Sequence, residues 1–250
     1  MENTTTIALS RLVAQSRAME VSANNLSNAG TPGFRTERML FSDWLVREPS
    51  VPGSSSLPPG GRILTYTQDR ATYRNAQEGT LTHTANPLDL AINGDGYFTV
   101  QSPRGPRLTR AGHFERAQDG TVVDASGDAL LDTTGQKLVL SPADTVLTVA
   151  SNGSIASQNG PIGQIGMVKP DDPAKLTAEG ARLLASGSPT TPVATPQMTQ
   201  GALEDSNVEP TQELTRMMSD LREFQFTTQF VQAEADRQQS AIDKITQRRS

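Results

Sequence analysis

From Leu214 onward one helical face reads Leu214, Met217, Leu221, Phe224, Thr228, Val231, Ala235, Gln238, Ile242 and Ile245, in alternating steps of three and four without a break. That is the seam of a coiled coil, in which two positions per heptad face a partner helix. Thr228 and Gln238 are polar lapses in it. Such a stripe demands a second helix, and the start of the chain offers one. Leu9, Leu12, Ser16, Met19, Ala23 and Leu26 repeat the same spacing. The simplest arrangement pairs the two chain ends side by side and makes everything between them an insertion.

Both ends carry more apolar surface than one partner covers. Ile7, Ala14, Ala18 and Val21 form a second row, roughly 110° around the first helix at about 100° per residue. Phe226 and Phe230 point away from the C-terminal seam, and three of the chain's seven Phe lie on that one segment. An ordinary helix buried in a globular bundle is the plain reading of such a pattern. The sharper one is a helix pair whose spare rows meet neighbouring copies.

Between the ends the period changes. Arg47 to Gly61 is aperiodic and full of breakers, as a linker is. Ile63, Tyr66, Thr67, Ala71 and Tyr73 begin an alternation. Leu88, Leu90 and Ile92, then Phe98 and Val100, alternate around Asn93-Gly94-Asp95-Gly96, which reads as a hairpin turn. Further turns are expected at Asp119-Gly120, Ser126-Gly127, Thr134-Gly135 and Asn152-Gly153, with short apolar pieces between them. With 20 glycines and 16 prolines, this is an all-β insertion of many short strands. Asn28 and Gly30 suit a left-handed helix C-cap. Asn207 suits an N-cap and Pro210 a first turn. The expected fold is α+β: residues 1–35 and 207–250 form a helical core domain, 36–75 an extended linker, and 76–206 an outer β domain.

Chemistry is scarce. His83 and His113 lack the spacing of a zinc-binding pair, and there is no cysteine. Gly160 to Gly166 has the wrong glycine spacing for a dinucleotide site. Asp119 to Asp128 lacks the ligand order of a calcium loop. No nucleophile elbow is present. No catalytic, cofactor or metal site is expected. A net charge of −5 argues against a nucleic-acid partner. No run approaches the roughly 20 apolar residues of a membrane span, and no cleavable secretory signal is legible at the N-terminus.

Four motifs carry a resemblance. Asn24, Asn25, Leu26, Asn28, Thr31, Gly33 and Phe34 follow the order of "ANNLANxxTxGFK", with Arg35 in the lysine position. "NPLDLAINGDGYFTV" from Asn86, Thr109 to Phe114 and "GALEDSNVEP" from Gly201 follow in sequence. Together they resemble the bacterial flagellar rod and hook family. The spacing from Gln68 to Ile92 is more similar to proximal than to distal rod members. The resemblance implies a non-enzymatic axial subunit of the basal body that polymerises with copies of itself and with other rod proteins. It implies a seam of Leu9, Leu12, Met19, Leu26, Leu214, Met217, Leu221, Phe224, Val231, Ile242 and Ile245. Ile7, Ala14, Val21, Phe226 and Phe230 would then pack on neighbours. It also makes Phe41 and Leu45 an export motif, read by the flagellar export apparatus with no signal cleaved. A β-domain binder or enzyme on a helical stalk, and an autonomous coiled-coil fibre, are the alternatives.

Overall fold

The computed structural model describes residues 2–48, 62–180 and 182–247. The chain divides into two compact units. One comprises Met1–Leu26, Glu37–Arg74 and Glu209–Ser250; the other comprises Ser27–Thr36 and Asn75–Val208.

The first unit holds the helices. α1 runs Glu2–Ser27 and α2 runs Pro210–Gln247. Neither has an interior glycine or proline. Pro210 opens α2, where its missing N–H costs nothing. At 1.5 Å per residue, α2 is roughly 57 Å long.

The expected linker contains a two-stranded antiparallel ribbon. β1 (Glu37–Glu48) pairs with β2 (Arg62–Arg74) from Glu37↔Arg74 to Glu48↔Arg62, with one irregularity at Leu40/Phe41. An Arg74–Glu37 ion pair of 2.6 Å closes its base. β1 escapes a period-two reading because Met39, Leu40 and Phe41 are consecutive. Pairing with an alternating partner overrides that local ambiguity. Pro49 to Gly61, the heart of the expected linker, lies outside the described residues.

The second unit is β-structured. Its strands in chain order are β3 (Leu81–His83), β4 (Leu90–Ile92), β5 (Tyr97–Ser102), β6 (Gly105–Thr109), β7 (Phe114–Arg116), β8 (Val122–Asp124) and β9 (Ala129–Leu130). β10 (Leu147–Val149), β11 (Ser154–Ser157), β12 (Gly160–Gln164), β13 (Met167–Pro170), β14 (Leu176–Glu179), β15 (Leu183–Ser186), β16 (Thr190–Pro192), β17 (Met198–Gln200) and β18 (Ala202–Glu204) follow. The main sheet runs β14-β15-β6-β5-β9-β8-β7, with β13 bridging β5 and β16. β10-β11-β12 form a meander, while β17 pairs with β4 and β18 with β3. The returning chain thus closes on the strands that opened the unit. Phe98 and Phe114, both fully buried, meet edge to face at 5.4 Å. Leu90, Ile92, Val100, Leu130, Leu140 and Ile165 complete the centre of the core around them.

Two local expectations need correction. Asn93 to Gly96 does not close a hairpin, since β4 pairs with β17 and β5 with β6. The carbonyls of Gly94 and Gly96 are instead taken by the Arg110 guanidinium, at 2.8 and 2.6 Å. The left-handed residue after α1 is Gly33 (φ +71°), not Gly30. The glycines of the other four expected turns all have positive φ.

Candidate functional site

Two features of the structure stand out: a helical surface that one chain leaves open, and a buried junction where the family-like motifs converge.

In the helical unit, Asn25 Nδ2 lies 3.2 Å from Glu213 Oε2, and Gln15 Nε2 lies 3.1 Å from Glu223 Oε2. Ten residues back along α1 correspond to ten forward along α2, so the helices run antiparallel. Asn25 also exchanges two 2.9 Å bonds with the Glu37 backbone, and Arg38 Nη1 donates to Glu213 Oε1 at 2.5 Å. Glu213 is thereby buried with both oxygens engaged.

That anchor sets the rotation of α2. Its covered line is Glu213, Met217, Asp220, Phe224, Thr227, Val231, Glu234 and Gln238. Met217, Phe224 and Val231 of the expected seam lie on it. Leu214 and Leu221 do not, because each is displaced by the acid one position before it. On α1 the buried residues are Ala8, Ala14, Gln15, Ser22 and Asn25, while Leu12, Met19 and Leu26 are half-buried. Leu9, Leu214, Leu221 and Ile242 are 58, 43, 45 and 54 % exposed. The covered line of α2 therefore mixes acids and amides with apolar residues, and much of the apolar stripe faces away from it. Of the second rows, Ala14 is buried, Ile7 and Val21 are half-buried, and Phe226 and Phe230 are exposed. Val13 and Met218 are exposed as well. Phe41 and Leu45 stand on β1 opposite Asp69 and Thr65. Their side chains, like that of Ile245, lie outside the described ones.

The junction belongs to the β unit. Arg110 and Glu204 form an ion pair of 2.6 Å with both side chains 2 % exposed. Arg110 also donates to the Gly94, Gly96 and Ile92 carbonyls, which leaves its fork well satisfied. Glu204 further accepts from Gly79 N (3.2 Å) and Arg35 Nη2 (3.4 Å). Its own carbonyl accepts from Gly33 N at 2.7 Å. A side chain at Gly33 would place a Cβ 2.4 Å from the Arg110 backbone, and one at Gly112 a Cβ 1.6 Å from Leu90 O. Glycine is required at both positions by close backbone approach.

Asn207 completes the junction and does not cap α2 as expected. Its Oδ1 accepts from Thr36 N (2.7 Å) and Thr36 Oγ1 (2.6 Å), and its Nδ2 donates to Gln77 O (2.8 Å). The Gly33-Phe34, Thr109-to-Gly112 and Leu203-to-Val208 segments are thus parts of one buried assembly. Arg110, Glu204 and Asn207 went unassigned in the sequence as a working set. Their signal was present as charge and amide inside otherwise apolar motifs. Arg35 stands where the motif carries lysine, and its Nε is buried without a partner.

No cluster of three or more His, Cys, Asp or Glu able to hold a metal is found among the described residues. His113 Nδ1 sits 2.7 Å from Asp89 Oδ1, whose other oxygen accepts from Thr84. That arrangement ties a turn together. His83 is exposed on β3.

Three family models match the chain. "Flagella basal body rod protein" covers residues 6–35, "Flagellar hook protein FlgE/F/G D1 domain" covers 91–157, and "Flagellar basal body rod FlgEFG protein C-terminal" covers 199–244. Among curated proteins, the flagellar basal-body rod protein FlgF of Caulobacter vibrioides is 32% identical over 247 residues, covering 98% of each chain. FlgF of Mesorhizobium japonicum is 29% identical with the same coverage. The flagellar basal-body rod protein FlgG of Buchnera aphidicola is 31% identical, covering 90% of this chain and 93% of its own. The motifs at the buried junction, the two helical ends and the full-length match together place the chain in the flagellar basal-body rod family, on the side of its F-type members, as a structural and non-enzymatic subunit.

Proposed function

We propose that this subunit polymerises through its two terminal helices into the drive shaft that carries motor torque to hook and filament. The observation that supports this is the apolar surface left open on the helical unit. Leu214, Met218, Leu221, Phe226, Phe230 and Ile242 on α2, with Leu9 and Val13 on α1, are each at least two-fifths exposed. Full burial of such a side chain is worth roughly 1.5–3 kcal/mol, so covering all that remains open on α2 is worth about 5–10 kcal/mol. Association itself costs about 4–15 kcal/mol. A neighbour that covers only part of this surface falls short of that cost, and neighbours that together cover it hold the subunit, so growth is cooperative.

In this reading the seam residues Leu9, Leu214, Leu221 and Ile242 complete a coiled-coil-like packing between copies. The polar contacts of Gln15 and Asn25 hold the register within each copy. The helical unit acts as the core of the rod and the β unit as its outer layer. Before assembly the ends are marginal, because helices with much of their apolar stripe uncovered depend on tertiary partners. That suits passage through the flagellar export apparatus, with Phe41 and Leu45 as its recognition motif. The rod, in the periplasm, is the destination.

The test replaces two exposed residues together, Phe226→Asp and Phe230→Asp. The purified variant should keep the helix content and melting temperature of the parent. Cells carrying it should export the subunit, fail to incorporate it into basal bodies, and not swim. Normal swimming with the variant present in purified basal bodies would overturn the proposal.

A further inference from the structure

The helical unit contains a groove of about 350 Å³, bounded by α1, the base of the ribbon and α2. Asp220 reaches into it from α2. Its Oδ2 is buried with no hydrogen-bond partner. The ionisable groups facing it are Glu37 and Arg38 from β1, Tyr73 from β2 and Arg216 from α2; α1 contributes only Ala18, Val21 and Ser22.

Asp220 is the odd member of an acidic line. Two turns earlier, Glu213 is held by Arg38 and Asn25. One turn later, Glu223 is held by Gln15, with Arg11 at 3.9 Å. Glu37 is paired with Arg74. Because Gln15 must donate to the Glu223 carboxylate, its own Oε1 turns inward, and it too is buried without a partner. Among the described residues of this unit both orphan atoms are acceptors, so the interface between α1 and α2 is short of a donor. A buried acceptor without a donor has given up its water and gained nothing in return.

We propose that Asp220 is a proton-operated latch of the helical unit: a proton on its carboxyl closes the packing of α1 against α2, and loss of that proton loosens it. Burial raises the Asp220 pKa, and repulsion from Glu223 and Glu213 adds to the rise against the pull of Arg216. The sign follows from linkage. A carboxyl that holds its proton more firmly folded than unfolded stabilises fully below the ordinary carboxylate range. That contribution is lost as pH rises through the folded value. Above that folded value the latch is open and the helices are ready to exchange partners.

The full-length chain tests this in two ways. Carboxyl-carbon NMR should show Asp220, assigned through its backbone connectivity in the parent, titrating above the ordinary carboxylate range. Thermal melts by far-ultraviolet circular dichroism should show the helical transition of the parent dropping as pH rises from 4 to 7.5. Asp220→Asn should flatten that dependence and melt a few degrees higher than the parent at pH 7.5. Asp236→Asn, on the exposed side of α2, should change neither. An Asp220 titration at or below the ordinary range would overturn the latch, as would an Asp220→Asn chain that melts lower than the parent at pH 7.5. If that variant does not fold, the titration of the parent still decides. These readouts use isolated subunits, so their failure is distinct from failure of the assembly reading.

Discussion

Removing the Glu204 carboxylate is the most informative single perturbation of the β unit. Glu204 and Arg110 are paired at 2.6 Å with almost no access to water. In Glu204→Ala the guanidinium keeps the Gly94, Gly96 and Ile92 carbonyls but loses its counter-charge. Its nearest remaining acid is Glu78, 3.6 Å away and half exposed. Gly79 N and Arg35 lose their acceptor in the same step. Breaking a buried pair from one side costs about 3–5 kcal/mol. For a unit of roughly 140 residues, unfolding entropy of about 2.1 cal/mol/K per residue converts this to a melting drop of about 10–17 °C. Scanning calorimetry of the full-length chain reads it directly. The double variant Arg110→Met with Glu204→Met removes both charges together and should recover much of the loss, since apolar replacement of a whole buried pair is often neutral. A drop below about 1 kcal/mol in Glu204→Ala, or two single effects that simply add in the double variant, would refute the reasoning.

Two further outcomes follow from the same unit. Asn207→Ala strips the acceptor from Thr36 N and Oγ1 and the donor from Gln77 O, and should cost about 2 kcal/mol in urea unfolding, while Asn207→Asp keeps the acceptor and should cost about half as much. Asp128 has its pKa raised by burial and by the neighbouring Asp124, so its contribution is complete below the ordinary carboxylate range and is lost as pH rises through the folded value; Asp128→Asn should therefore melt higher than the parent at pH 7 and converge with it in acid.

The period of the apolar residues was enough to find both helices, and α2 begins at Pro210 within three residues of the expected boundary. Positive-φ glycines marked four turns correctly, because only glycine tolerates those angles cheaply. Asn93 to Gly96 failed as a hairpin because turn chemistry does not reveal that a distant guanidinium will take the carbonyls of Gly94 and Gly96. β1 was not read as a strand because its pairing partner begins 25 positions later, at Arg62. The candidate site divides the same way. Exposed Phe226 and Phe230 were legible from their offset to the seam. Arg110, Glu204 and Asn207 were visible only as letters inside motifs.

The sequence alone determined that the chain has two helical ends with surplus apolar surface, a β-rich insertion and family-like junction motifs. Periodicity, turn residues and motif order are local properties, readable one segment at a time. The tertiary structure alone decided which face of each helix is covered. Heptad spacing defines a stripe, but a rotation of about 100°, one residue, is settled by Glu213 meeting Asn25 and Arg38. It also decided that residues 27–36 belong to the β unit, because their partners at Arg110, Glu204 and Asn207 are far along the chain and meet them only once the unit has closed.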